Sequence, residues 1–353
     1  MVDLAHDPSQ PTDPRERPFP PAFAALDLGT NNCRMLVGAP TSDGFRVLDS
    51  FSRIVRLGEG LHETGRLSEP AMDRAIAALQ GCVGRLARRQ IRSVRAIATE
   101  ACRQAANGAD FIARARAETG LTIDIISTRE EAELALESCA PLLRPAGLRD
   151  IGRRALLFDI GGGSTEIAWV RLCSAGCPQD APELIGYISL PVGVVTLAER
   201  FQPVAQTRAG FEAMVDDVAA RLLGFDAVHR IGQEIRQGGV RLLGTSGTVT
   251  TLAGIALALP RYSRPAVDGV VLTGPEALAA LEDLQALGRD GLAAHPCIGP
   301  ERAEFVLPGC AIFAAIHRLW PAQEIVVADR GLREGMLLRM MRADAKPRVR
   351  RRG

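Results

Sequence analysis

The chain has 353 residues, 47% hydrophobic and 24% charged, with 42 Lys+Arg against 41 Asp+Glu for a net charge of +1. That balance excludes a disordered, collagen-like or supercharged protein and predicts one or two globular domains. It also supplies no global positive field of the kind nucleic-acid binders carry, so no nucleic-acid partner is expected and an anionic ligand must be held by a local site.

Residues 1–21 carry Pro8, Pro11, Pro14, Pro18, Pro20 and Pro21 among polar neighbours and read as a disordered proline-rich arm. Ala22–Leu28, Met35–Gly38 and Phe45–Ile54 read as consecutive strands. Ser68, followed by Pro70, starts a helix through Met72, Ile76, Leu79 and Val83 to about Arg88, with the serine as N-cap and proline tolerated in the first turn. A strand Val94–Ala98, helices from about Glu100 and Asp110, and a strand Leu121–Ile126 follow. A helix from about Arg129 to Cys139 then leads into a Pro/Gly/Arg linker, Pro141–Arg154. The predicted domains are 22–144 and 153–342, with the last helix free to pack back on the first domain, and 343–353 form a basic tail.

The eight cysteines are scattered through apolar segments and the N-terminus lacks a charged-then-apolar leader, which fits a reducing, cytoplasmic setting. Charges, glycines or prolines interrupt every apolar run before the roughly 18 to 20 residues a spanning helix needs, so no membrane association is expected. Cys173 and Cys177 have no second Cys/His pair of matching spacing, which argues against structural zinc.

Each half opens on the same pattern of strand, Asp, Gly-containing turn and strand. Asp27-Leu28-Gly29-Thr30-Asn31-Asn32-Cys33-Arg34 is repeated as Asp159-Ile160-Gly161-Gly162-Gly163-Ser164-Thr165-Glu166. The repeat predicts two related domains facing each other across a cleft. Glycines let backbone N–H groups approach a phosphate, and Thr30, Asn31, Asn32, Ser164 and Thr165 add side-chain donors. A third junction, Gly244-Thr245-Ser246-Gly247-Thr248, lies between an apolar strand and a helix, so its amides could meet an anion. A fourth, Asp329-Arg330-Gly331-Leu332-Arg333-Glu334-Gly335, has the same strand-loop-helix form.

The order of these elements, with Ala98-Thr99-Glu100-Ala101-Cys102-Arg103 and Ile126-Ser127-Thr128-Arg129-Glu130-Glu131 between them, resembles the exopolyphosphatase and guanosine pentaphosphate phosphohydrolase (Ppx/GppA) family over about residues 22–342. The resemblance implies an α/β fold of two ribonuclease-H-like domains, related to actin and the sugar kinases, with the active site in the interdomain cleft. It further implies Mg²⁺-dependent hydrolysis of a terminal phosphoanhydride. Glu131 maps onto the family's general base and Arg103 onto the arginine that holds the terminal phosphate. Asp159 and Glu166 map onto acidic positions that bind Mg²⁺ or orient the attacking water, and Asp27 stands at the corresponding place in the first loop. The expected phosphate ligands are Gly29, Thr30, Asn31 and Asn32 in the first loop, Gly161, Gly162, Gly163, Ser164 and Thr165 in the second, and Gly244, Ser246, Gly247 and Thr248 in the third. The chain resembles the family's short, two-domain form, and relatives suggest a homodimer.

Plainer readings stand beside these. Thr128-Arg129-Glu130-Glu131 has the spacing of a capping box, in which Glu131 would only bond back to the helix start. Arg103 and Arg34 could be ordinary surface charges. Arg85, Arg88, Arg89, Arg92 and Arg95 could guide a polymer or simply cover a solvated helix end. His295 falls in a loop and could line the cleft. The first loop has Asn32 where relatives carry a serine, and Ser127-Thr128-Arg129 replaces a Ser-Gly-acidic lead. Two substrates remain open, inorganic polyphosphate and guanosine pentaphosphate. So does a non-catalytic sensor using the same cleft, whereas the Glu-Glu-Ala motif disfavours a kinase.

Overall fold

The computed structural model describes residues 21–143, 154–172 and 182–345. The arm up to residue 20, most of the linker, Cys173, Cys177 and the tail beyond residue 345 lie outside the described residues. The first half contains β1 (Ala22–Leu28), β2 (Asn32–Thr41), β3 (Gly44–Ile54), α1 (Leu61–Thr64), α2 (Glu69–Leu86), β4 (Ile91–Ala98), α3 (Glu100–Gln104), α4 (Gly108–Thr119), β5 (Ile123–Ile125) and α5 (Thr128–Leu143). The second contains β6 (Arg154–Ile160), β7 (Thr165–Arg171), β8 (Glu183–Leu190), α6 (Val194–Arg200), α7 (Arg208–His229), α8 (Ile231–Arg236), β9 (Val240–Thr245), α9 (Ser246–Ala256), α10 (Arg264–Val267), β10 (Val271–Thr273), α11 (Gly274–Ala294), α12 (Ala303–Leu319), β11 (Glu324–Ala328) and α13 (Leu332–Ala345).

The two sheets repeat one topology. The first has the order β3-β2-β1-β4-β5, in which β1, β2 and β3 form an antiparallel meander and β4 and β5 continue parallel to β1. In the second, β6, β7 and β8 form the meander, β9 and β11 continue in parallel, and β10 caps the edge antiparallel to β11. This is a duplicated ribonuclease-H-like fold of the actin-like class. The central strands β1 and β6 are apolar nearly throughout because both of their faces are covered, as their sequences require. Helix α2 begins as its cap chemistry dictates: Ser68 Oγ accepts from Ala71 N, and Pro70 sits in the first turn.

The helices are exchanged between the halves. Although α5 follows the first sheet in sequence, it packs on β6, β7 and β8, whereas α13 follows the second sheet and packs on β1 and β2. The two helices also pack on each other, closely enough that a Cβ at Gly335 would lie 2.2 Å from Leu134 O. Phe23, Ala25, Leu36, Leu134, Leu157, Val170, Met336 and Leu337 form the resulting apolar seam, distinct from the core of either half. That seam joins the sheets at one side and leaves the loop ends of β1, β6, β9 and β11 facing a common cleft. No helix among the described residues is long and apolar enough to cross a membrane.

Candidate active site

A cleft of about 1110 Å³ lies where the four loops meet. The hairpin turns of the two halves are closed by the same bond, Gly29 N to Asn32 O and Gly161 N to Ser164 O, each at 2.9 Å. They touch at the cleft floor. A Cβ at Gly163 would lie 2.4 Å from Thr30 Oγ1, and one at Gly162 would lie 3.2 Å from Thr30 Cβ. Glycine is needed here for close approach between the two loops.

Of the residues expected to bind phosphate, Gly29, Thr30, Asn31, Asn32, Gly161, Gly162, Gly163, Ser164, Ser246, Gly247 and Thr248 line this cleft. Two do not. Gly244 is buried within β9, where a Cβ would meet the Phe158 ring at 2.6 Å, so its role is packing. Thr165 is fully buried and its hydroxyl donates to Val192 O at 2.7 Å, turned away from the cavity. Ser246 holds a positive φ of 75°, a costly backbone state for a residue with a Cβ, and its hydroxyl donates to Ile160 O. That strain turns the chain directly into α9, whose N-cap Thr245 makes no side-chain cap bond, leaving first-turn amides of the helix without an intrahelical acceptor.

Asp27, Asp159, Glu166 and Glu131 all line the cleft. Asp159 and Glu166 face each other across the second hairpin, and Glu166 accepts from Ser189 Oγ at 2.9 Å. Burial pushes Asp159 up to about 6 and also raises Glu166, which the charge of Asp159 raises further. Burial likewise raises Asp27, against the pull of Arg34 and Arg333, and its Oδ1 is buried without a hydrogen-bond partner. Among the described residues no three His, Cys, Asp or Glu side chains converge as a self-contained metal cage. An unpartnered buried carboxylate oxygen beside a second cleft carboxylate does suit Mg²⁺, which is typically held by one or two carboxylates with water and substrate phosphates completing its shell.

Glu131 is not the helix cap. Helix α5 begins at Thr128, so the cap hydroxyl is that of Ser127, which accepts from Glu130 N at 3.2 Å. The third position of the helix is then Glu130, and its carboxylate binds Arg95 and Arg339. Glu131 instead points inward, buried, with Oε2 accepting from Arg103 Nη1 and Nη2 at 3.3 Å each. Burial raises it well above the ordinary carboxylate range, the charge of Glu166 raises it further, and Arg103 opposes both.

Arg103, expected to hold the terminal phosphate, is turned onto protein acceptors in this structure. It does not line the cleft, and besides Glu131 it donates to Ile126 O at 2.8 Å and to Glu100. Both terminal nitrogens are occupied by protein acceptors, because three oxygens surround the guanidinium. The cationic face of the cleft comes from other residues: Arg34, Arg302 and Arg333 line it, and none of them has a carboxylate within ion-pair distance among the described residues. Arg302 is held by Gly247 O at 3.0 Å and Thr251 Oγ1 at 2.9 Å. Arg264 is spent on Glu334 at 2.8 Å, and Arg330 on Asp268 at 2.9 Å.

Sequence reading passed over Glu100, Arg302 and Arg333 as site residues. Arg333 sits in the fourth glycine-containing junction, which signalled the loop without singling out the side chain. Arg302 has no local signal, since only the fold carries the start of α12 to the third loop. The basic run after α2 is largely neutralised, with Arg85 and Arg89 on Asp49, Arg92 on Asp344 and Arg95 on Glu130. His295 lies outside the cleft lining, where its Nδ1 accepts from Cys297 N.

A duplicated ribonuclease-H-like fold with glycine loops, buried carboxylates and unpaired arginines around one cleft defines a phosphate-handling protein of the actin-like class. Residues 37–344 match the Ppx/GppA phosphatase family, and the chain belongs to that family. Solved structures agree over nearly the whole chain. A Ppx/GppA family member from Aquifex aeolicus is 25% identical with a TM-score of 0.73, covering 92% of this chain and 99% of its own. An exopolyphosphatase-like protein is 26% identical with a TM-score of 0.77 and the same coverage. An exopolyphosphatase from Cytophaga hutchinsonii, at 24% identity and a TM-score of 0.77, covers 91% of this chain and 98% of its own and shares the fold.

Proposed function

We propose that this phosphatase removes the terminal phosphate of inorganic polyphosphate. The observation that carries the reading is Glu131, a buried cleft carboxylate with one oxygen fixed by Arg103 and the other, Oε1, left without a protein partner among the described residues. Its raised basicity suits it to take a proton from water at near-neutral pH. Water attacks the terminal phosphorus, its proton passes to Glu131 Oε1, and the bridging P–O bond breaks to release orthophosphate and a polymer one unit shorter. Such a transfer depends mainly on positioning and charge neutralisation. In this reading the loop amides at Gly29–Asn32, Gly161–Ser164 and Gly247–Thr248 orient the phosphates, and Arg34, Arg302 and Arg333 offset their charge. Asp27 and Asp159, with Glu166 directly or through water, would hold Mg²⁺, which when bound neutralises phosphate oxygens. The exopolyphosphatase-like relative at 26% identity supports the substrate choice.

Phosphate release from defined-length polyphosphates and from guanosine pentaphosphate, each with Mg²⁺ or EDTA, tests the proposal. Faster release from polyphosphate is expected; faster release from guanosine pentaphosphate reassigns the substrate, and binding without release marks a sensor.

A further inference from the structure

Besides the four carboxylates used above, Glu100, Glu301 and Asp329 line the cleft, and of these three only Glu100 is buried. Glu100, the first residue of α3, is buried and lines the cavity. In a site that must accept a polyanion, an extra buried negative charge opposes binding unless it serves a different purpose. Its two oxygens are both engaged: Oε2 accepts from Arg103 Nη2 and Oε1 accepts from Gln104 Nε2. Its stem abuts the second hairpin, since a Cβ on Gly163 would lie 3.3 Å from Glu100 Cγ. Glu100 is therefore wedged between the loop that meets the phosphates and the arginine that meets Glu131.

Arg103 completes the arrangement. Nη1 donates to Ile126 O and Glu131 Oε2, and Nη2 donates to Glu100 Oε2 and Glu131 Oε2. Four terminal N–H groups meet four acceptor contacts, which leaves none of them for substrate. We propose that Glu100 is a positioning residue: it anchors Arg103 as a brace that fixes Glu131 for proton abstraction, and it keeps that guanidinium from being drawn onto the substrate phosphate. The inference rests on Glu131 as the base. A backbone carbonyl and a single carboxylate would leave the guanidinium free to swing toward an incoming polyanion. A second carboxylate, itself locked by Gln104, opposes that swing.

The test compares Glu100→Gln, Glu100→Asp, Arg103→Ala and the Glu100→Gln/Arg103→Ala double variant in steady-state hydrolysis of the substrate named by the assay above, with thermal unfolding to confirm that each variant folds. Glu100→Gln is expected to lower kcat by roughly 10- to 100-fold with KM within about twofold, and Glu100→Asp to recover part of that loss. Because Glu100 acts through Arg103, the double variant is expected to match Arg103→Ala within about twofold. A lowered KM in Glu100→Gln would mean that Arg103 is a phosphate ligand released from competition, and the brace is overturned. Losses that multiply in the double variant, or no loss in Glu100→Gln, overturn it equally. Full activity in Glu131→Gln would instead sink the base assignment, whatever the Glu100 series gives.

Discussion

Thr30 ties the two halves of the cleft together, and Gly163→Ala probes that contact. The added Cβ would lie 2.4 Å from Thr30 Oγ1 and 3.3 Å from Thr30 Cβ. Ordinary contacts fall at about 3.5 Å or more, so the overlap with the hydroxyl is on the order of 1 Å. Rotation of Thr30 offers little relief, because its methyl group is already wedged against Gly58, where a Cβ would lie 2.3 Å from Cγ2. The loops must therefore move apart by several tenths of an ångström to 1 Å, a misplacement that costs about 10²-fold in rate where catalysis depends on alignment. Gly163→Ala is expected to lower kcat/KM by about that factor in a phosphate-release assay, and adding Thr30→Ser, which frees the side chain to rotate, to restore part of it. Gly244→Ala is the control. Its Cβ would press on Phe158 and Val249 within the core, costing about 1 to 3 kcal/mol of stability while leaving KM unchanged below its melting temperature. Wild-type kinetics in Gly163→Ala, or a raised KM in a stably folded Gly244→Ala, would refute the assignment of these two glycines.

Two carboxylates, Glu131 and Asp217, should show displaced pH dependences. Glu131 must be unprotonated to act, and burial together with Glu166 raises it, so kcat/KM should rise with pH along an acid limb lying above the usual carboxylate range. A limb at or below pH 4 would contradict that environment. Away from the site, burial pushes Asp217 up, but hydrogen bonds from Arg200 and Arg221 outweigh it and hold the group at about 2. A depressed folded-state pKa stabilises the fold above the unfolded value near 4, and that contribution fades as pH falls toward 2. Asp217→Asn should therefore cost roughly 1 kcal/mol at pH 7 once solvent screening of this partly exposed pair is allowed for, with a deficit in chemical unfolding that shrinks below pH 4; a pH-independent deficit would show packing rather than charge.

Much of the fold was legible because its signals are local. The apolar runs of β1 and β6, the repeated Asp-to-glycine turns and the Ser68 cap each follow from a few adjacent residues. The exchange of α5 and α13 between the sheets was not, since nothing in an amphipathic helix names the sheet that will cover it. Strand β10 spans only Val271–Thr273 and is too short to show alternation. Within the site, the motif order drew attention to Glu131 while its spacing suggested a cap, and the start of α5 at Thr128 moves that cap to Ser127. Gly244 and Thr165 share the composition of a phosphate loop but face the core, a distinction made by strand register. Arg302 acquires its importance from Gly247 and Thr251, distant in sequence, whereas Glu100 bonds Arg103 and Gln104 close by and only the fold brings that group to Gly163 and Glu131.

In the proposed reaction Glu131 activates water against a metal-assisted terminal phosphate. The most direct measurement is phosphate release from a defined-length polyphosphate by wild type and Glu131→Gln, each with Mg²⁺ and with EDTA. Release that requires Mg²⁺ and falls by roughly 10²-fold or more in Glu131→Gln is the predicted result. Undiminished release by Glu131→Gln, or equal release in EDTA, would contradict it.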